Sequence, residues 1–198
     1  MTSESSSLAA KVRECILDSA ETKRCFAERA AADIATVVEM VAACLREGGK
    51  VLLCGNGGSA AEAQHISAEF VGRFQLERKG LASIALTTDT SALTSIANDY
   101  GYEAIFARQV EALGREGDVL FAYSTSGTST NIVAAVERAQ ELGLRTVGFT
   151  GAGGGVMADL CDVCIQAPSD HTPIIQECHS TAGHTICLLV EQLLAAEE

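Results

Sequence analysis

The chain has 198 residues, 47% of them hydrophobic and 20% charged, and a formal net charge of -12. That length and balance predict one soluble domain with enough chain for a full core. The acidic excess argues against a binder of nucleic-acid backbones, but backbone N–H groups and hydroxyls can still hold one small phosphate.

Met1 to Ser6 read as a loose tail without the basic-then-apolar pattern of a secretion signal. No apolar run reaches the roughly 18 residues of a membrane helix. A cytoplasmic protein with no membrane or nucleic-acid partner is therefore expected. From Ser7 to about Glu47 the pattern is helical. Leu8, Val12, Ile16 and Leu17 form one apolar stripe, and Phe26, Ala30, Ile34, Val37, Val38 and Val41 form another. Two helices are predicted, broken weakly between Ala20 and Lys23 and closed by Gly48-Gly49.

From Lys50 onward apolar strands alternate with helical patterns. Strands are predicted near 51–54, 83–87, 118–123, 145–150 and 162–166. Helices are predicted over 59–73, 91–99, 103–114, 129–142 and 174–196. The fold class is therefore α/β, a five-stranded parallel sheet flanked by helices. The expected organisation is one domain over 1–198, with N-terminal helices at 7–48 and an α/β core at 50–198. Ligands of such sheets bind at the carboxyl ends of the strands. Those ends carry Gly55, Thr87-Thr88-Asp89, Ser124 to Ser129 and Thr150 to Gly155, so glycines and hydroxyls gather on one edge.

Val51 to Arg73 reads strand, glycine turn, helix, the order that presents free N–H groups to an anion. On its helix His65 and Glu69 are four apart and share a face. Ser124, Thr125, Ser126, Thr128 and Ser129 supply five hydroxyls within six residues, around Gly127 and just before a helix. That is more than a capping turn needs and suits a phosphate monoester. The turn Gly55 to Ala60 also fits a dinucleotide fingerprint, but Asp89 lies too far on to be its acidic partner. There is no P-loop.

The last helix is strongly apolar in its second half, yet Gln176, Ser180 and His184 follow one another along one side. Polar groups on a buried helix need partners. Two histidines, a glutamate and a glutamine could make a metal site, or could act directly as acid and base. His179 and Glu177 point elsewhere and read as surface or interface residues; His171 is given no role. The eight cysteines read as buried thiols. Cys161 and Cys164 fall on a predicted strand, where their spacing would put them on opposite faces.

Taken together, "GNGGSAAEAQHISAEFVGRF", "IANDYGYEAIF", "GREGDVLFAYSTSGTSTNIVAAVE", "TGAGGG" and "IQECH" resemble the phosphoheptose isomerases, a family of sugar isomerase (SIS) domain enzymes. The likeness spans nearly the whole chain with its motifs in order. It implies a homotetramer with sites at subunit interfaces, a bound zinc, and conversion of sedoheptulose 7-phosphate to D-glycero-D-manno-heptose 7-phosphate. It places that step at the start of heptose synthesis for lipopolysaccharide or capsule. By position the implied zinc ligands are His65, Glu69, Gln176 and His184. The implied phosphate contacts are Ser59, Ser124, Thr125, Ser126 and Ser129, and further substrate contacts are Asn56, Gly57, Gly58, Glu69, Asn98, Asp99 and Gln176. Many members carry Arg where this chain has Ile174, so any contact of that Arg is lost here.

The expected chemistry passes through an enediol, with Glu69 as base and His184 as acid. Glu69 cannot be both tight ligand and mobile base: either the metal is loosely held or Glu69 shifts when substrate binds. The competing reading is a non-catalytic binding protein on the same fold, a replication-initiator-associating or sugar-phosphate-sensing factor. Such relatives lack acidic and His residues at the Glu69 and His184 positions, and this chain has both.

Overall fold

Five apolar segments pair in parallel in this computed structural model, which describes residues 2–196, with side chains from Ser7. They are β1 (Val51–Gly55), β2 (Ser83–Ala85), β3 (Val119–Tyr123), β4 (Arg145–Thr150) and β5 (Val163–Gln166). Their order in the sheet is β2-β1-β3-β4-β5. The helices are α1 (Thr2–Arg46), α2 (Gly58–Val71), α3 (Thr90–Tyr100), α4 (Ala107–Leu113), α5 (Thr130–Glu141), α6 (Met157–Leu160) and α7 (Thr172–Ala195), with a 3-10 turn at Tyr102–Ala104.

The central strands, β1, β3 and β4 past Arg145, are fully buried because both faces are covered. Val51, Leu53, Val119, Phe121, Tyr123, Val147 and Phe149 pack under α1, α2 and α7. Leu52, Cys54, Leu120 and Ala122 pack against Val110 of α4, Ile132 and Val136 of α5, and Met157 of α6. At the amino edge, buried Asp118 accepts from the Lys50 N–H at 2.9 Å and the Arg115 N–H at 2.9 Å, and pairs with Lys50 Nζ at 2.5 Å. At the carboxyl edge the chain turns through glycines and hydroxyls instead.

The N-terminal region differs from the predicted helical pair. It is one helix, α1, running unbroken through Ala20 to Lys23 and already helical at Thr2, where a tail was expected; Met1 lies outside the described residues. The two stripes mark a change of partner and not of backbone. Leu8, Val12, Ile16 and Leu17 are exposed, whereas Phe26, Ala30, Ile34, Val37, Val38 and Val41 are in the core. Lys23 stays in register by pairing with Glu177 of α7 at 2.8 Å.

The helix expected over 103–114 is shorter, because the chain first makes the 3-10 turn after Gly101. Four-residue α6, inside the glycine-rich stretch, was too short to show a period. Every other boundary lies within two residues of expectation. The Cys161/Cys164 pair is also corrected. Cys161 precedes β5, so strand alternation does not apply, and both sulfurs lie against Gly148, within 3.3 Å of where its Cβ would stand. Among the described residues, no helix is long and apolar enough to cross a membrane.

Candidate active site

α2 and α7 lie on the same face of the sheet and meet along matching turns. Gly58 stands against the Gln176 amide: a Cβ there would come within 2.5 Å of Nε2. One turn on, Ser180 Oγ donates to Glu62 Oε2 at 2.6 Å. Next, His65 Nε2 faces His184 Nε2 at 2.7 Å, with ring centroids 4.9 Å apart and planes at 82°. Gly183 permits this approach, since a Cβ there would lie 2.5 Å from Ile66 Cδ1. Glu69 completes the group, its Oε1 3.8 Å from His65 Nδ1. One ligand atom from each of His65, Glu69 and His184 falls within 4.8 Å of the others.

The wall behind this trio is apolar. Phe74 stacks on His184 at 5.5 Å between centroids and 27° between planes. The thiol of Cys187 is pushed up to about 12, first by burial and then by the charge of Glu69. Two imidazoles and a carboxylate, with the Gln176 amide two turns before His184, are donors of the kind zinc takes. The fit rests on one ligand atom each from His65, Glu69 and His184 lying within 4.8 Å of one another.

The hydroxyl loop follows β3. Ser124 Oγ lies 3.0 Å from Ser129 Oγ and 3.3 Å from Ser126 Oγ, and Thr128 Oγ1 donates to Ser126 Oγ at 3.0 Å. The loop closes on itself through a Gly127 N–H to Ser124 carbonyl bond of 2.9 Å. Gly127 has φ +67°, and a Cβ on it would stand 1.9 Å from the Gly154 carbonyl oxygen. The loop after β4 is thus fitted to the hydroxyl loop with no room for a side chain. Thr125 and Ser126 line a recess of about 250 Å³ with Gly151, Asp170 and Thr172.

Ser59, at the start of α2, is buried. Asn56 and Asn131 exchange amide bonds at 2.9 and 2.8 Å, and Tyr102 OH donates to Asn56 Oδ1 at 3.0 Å. These bonds tie the Gly57-Gly58 turn to the start of α5, beside the hydroxyls. Asn98 and Asp99 lie on α3 and bond to each other at 2.8 Å; α3 has no fully buried residue.

His179 corrects the sequence reading. It is buried, with Nε2 donating to the Thr150 carbonyl at 3.0 Å and the ring set against Tyr123 and Phe149. Glu177 is exposed, as expected, and bonds to Lys23 and Ser19. Glu62, Phe74, Tyr102 and Asn131 were not singled out in the sequence. Glu62 had a signal, since it precedes His65 and Glu69 on the same helix face at three- and seven-residue intervals. Phe74 had none, because it lies in a loop.

A family model described as SIS domain matches residues 17–151. The phosphoheptose isomerase of Roseiflexus sp. (strain RS-1) is 54% identical over 197 residues, covering 100% of both chains. The phosphoheptose isomerase structure from Neisseria gonorrhoeae superposes with a TM-score of 0.88 at 41% identity, covering 93% of this chain and 99% of that one. The one from Francisella tularensis gives 0.90 at 38% identity, covering 93% and 98%.

Proposed function

Because the chain belongs to the phosphoheptose isomerase family of SIS-domain proteins, we propose that it interconverts sedoheptulose 7-phosphate and D-glycero-D-manno-heptose 7-phosphate. It is an aldose–ketose isomerase: its close relatives are named phosphoheptose isomerase. The observation that carries the mechanism is the meeting of His65, Glu69 and His184 from α2 and α7.

In the ketose-to-aldose direction Glu69 removes a proton from C1, and His184 donates one to the oxygen on C2. The enediol forms. His184 then takes the proton from the oxygen on C1 while Glu69 returns its proton to C2. Each transfer is ordinary general acid–base catalysis by a positioned side chain. The phosphate is held at the carboxyl edge by Ser59, Ser124, Thr125, Ser126 and Ser129. Asn56, Gly57, Gly58, Asn98, Asp99 and Gln176 orient the sugar. Zinc held by His65, Glu69, Gln176 and His184 would polarise the sugar carbonyl. A carboxylate cannot hold a metal tightly and move freely as base, so either zinc would be loosely held or Glu69 would shift when substrate binds.

The enzyme is proposed to work as a homotetramer. The exposed stripe of Leu8, Val12, Ile16 and Leu17 and the outer side of α3, a helix with no fully buried residue, supply surfaces for copies to bury. Eight thiols, none in a disulfide, suit the cytoplasm. The product feeds heptose precursors for lipopolysaccharide or capsule. The test is turnover of sedoheptulose 7-phosphate by the purified protein, with metal analysis and a chelator arm. Turnover, with zinc recovered in the protein and activity lost to the chelator, is expected. No turnover with metal present would end this reading.

A further inference from the structure

α2 ends at Val71, and its last carbonyls need partners from elsewhere. Arg78 supplies them. Its guanidinium donates to the Glu69 carbonyl at 3.0 Å and the Phe70 carbonyl at 2.9 Å, and reaches Gly72 at 3.4 Å. A cation at a helix C-terminus is favourable in its own right. The side chain is only 7% exposed and stands 3.2 Å from the carboxylate of Glu191, itself 1% exposed. Glu191 lies near the end of α7, beyond His184. Its two oxygens accept from the Gln75 N–H at 2.9 Å and the Leu76 N–H at 2.8 Å.

The segment from Gly72 to Arg78 is therefore pinned at both ends by one buried ion pair. Phe74 sits in the middle of it, stacked on the ring of His184. The residue whose carbonyl Arg78 holds, Glu69, is the proposed base, and the ring Phe74 covers is the proposed acid. A pair that only closed a surface loop would have no need to be buried: burying charges is costly, and here Arg78 Nε lies 3.2 Å from Glu191 Oε1 yet is buried without a hydrogen bond.

We propose that Arg78 and Glu191 are positioning residues: through the 72–78 segment and Phe74 they set Glu69 and His184 relative to each other. This rests on the function proposed above. Partners of this kind, one step removed from a metal or reacting group, change affinity or activity by about 10- to 100-fold when lost.

The experiment compares Arg78→Lys, Glu191→Gln and Phe74→Leu with the parent, and uses Phe74→Tyr as the conservative rescue. On the full chain it measures kcat and KM for sedoheptulose 7-phosphate, the zinc dissociation constant, the melting temperature and the ring-proton NMR resonances of His184. In the first three variants kcat should fall about 10- to 100-fold and zinc should bind about tenfold more weakly. KM should stay within about threefold, because the hydroxyl loop is untouched. The His184 resonances should move in Arg78→Lys, not only in Phe74→Leu, and Phe74→Tyr should restore turnover.

Variants that keep kcat and zinc affinity within about twofold would overturn the proposal. So would losses that merely track the unfolded fraction. Should Glu191→Gln fail to fold, Arg78→Lys decides. If the parent itself neither turns over the sugar nor binds zinc, the functional reading fails separately. The NMR result then judges positioning alone: unmoved His184 resonances in Arg78→Lys would end it.

Discussion

On one side of α7, His184 looks across at α2; on the other, His179 looks into the sheet. Five residues separate them, roughly 140° of rotation about the helix axis. His184 is half-buried and shares its surroundings with a second imidazole, a carboxylate and a phenyl ring. His179 is sealed between Tyr123, Phe149 and the Thr150 carbonyl, and its Nδ1 has no partner. Burial pushes the His179 pKa down to about 4, against a smaller raising effect of the Thr150 bond. The same residue type is thus the proposed reagent on one side and a piece of core on the other. What decides is the neighbour each ring is given.

The strongest way to break that contrast is to remove the two proposed reagents. His184→Gln and Glu69→Gln should each lower kcat by about 10³-fold, within the usual range for a lost general acid or base. Their melting temperatures should stay close to the parent's, because both groups lie at a partly open site. His179→Gln should do the reverse, losing stability while the folded protein keeps turning over. Steady-state kinetics beside thermal melts reads both. If His179→Gln lowered kcat as far as His184→Gln, the division of α7 into two sides would be wrong.

That division was only half legible in the sequence. The sheet could be read because its strands are continuous apolar runs between glycines, and His65 and Glu69 because a four-residue interval fixes one helix face. The demand that Gln176, Ser180 and His184 find partners followed from their place on an apolar helix. The orientation of His179 was missed because a histidine reads as exposed, although it falls in the buried row of Ile175, Cys178 and Ala182 on the first half of α7. The unbroken α1 was hidden for another reason: its stripe changes partner partway along. The Arg78–Glu191 pair and Phe74 join a loop to the far end of the chain, and no local pattern announces that.

Acid should sharpen the contrast next. With a folded pKa of about 4 against an ordinary 6.5, His179 takes up a proton more readily in the unfolded chain. Its neutral burial therefore supports the fold fully above pH 6.5, and that support drains as pH falls from there toward 4. The loss is roughly 2 kcal/mol at pH 5 and roughly 3 kcal/mol at pH 4. Urea unfolding at pH 7.5 and pH 5, on the parent and on His179→Phe, isolates this share from that of the carboxylates. The variant should lose about 2 kcal/mol less over that interval. Equal losses in the two proteins would mean that His179 is not held neutral by its surroundings.

The smallest effect tests whether every polar group on the α2 side of α7 belongs to the chemistry. Ser180 stands between Gln176 and His184 in the same row, yet its Oγ is engaged with Glu62 Oε2 at 2.6 Å. The other oxygen of Glu62 is buried without a partner. Ser180→Ala would leave that carboxylate with neither, at a cost of about 1–2 kcal/mol. For a chain of this size the melting temperature should fall by roughly 3–6 °C. Turnover should hold within about threefold, because no reacting atom is touched. A melting temperature that stays put while kcat collapses would place Ser180 among the reagents, and the row from Gln176 to His184 would then act as a single catalytic face.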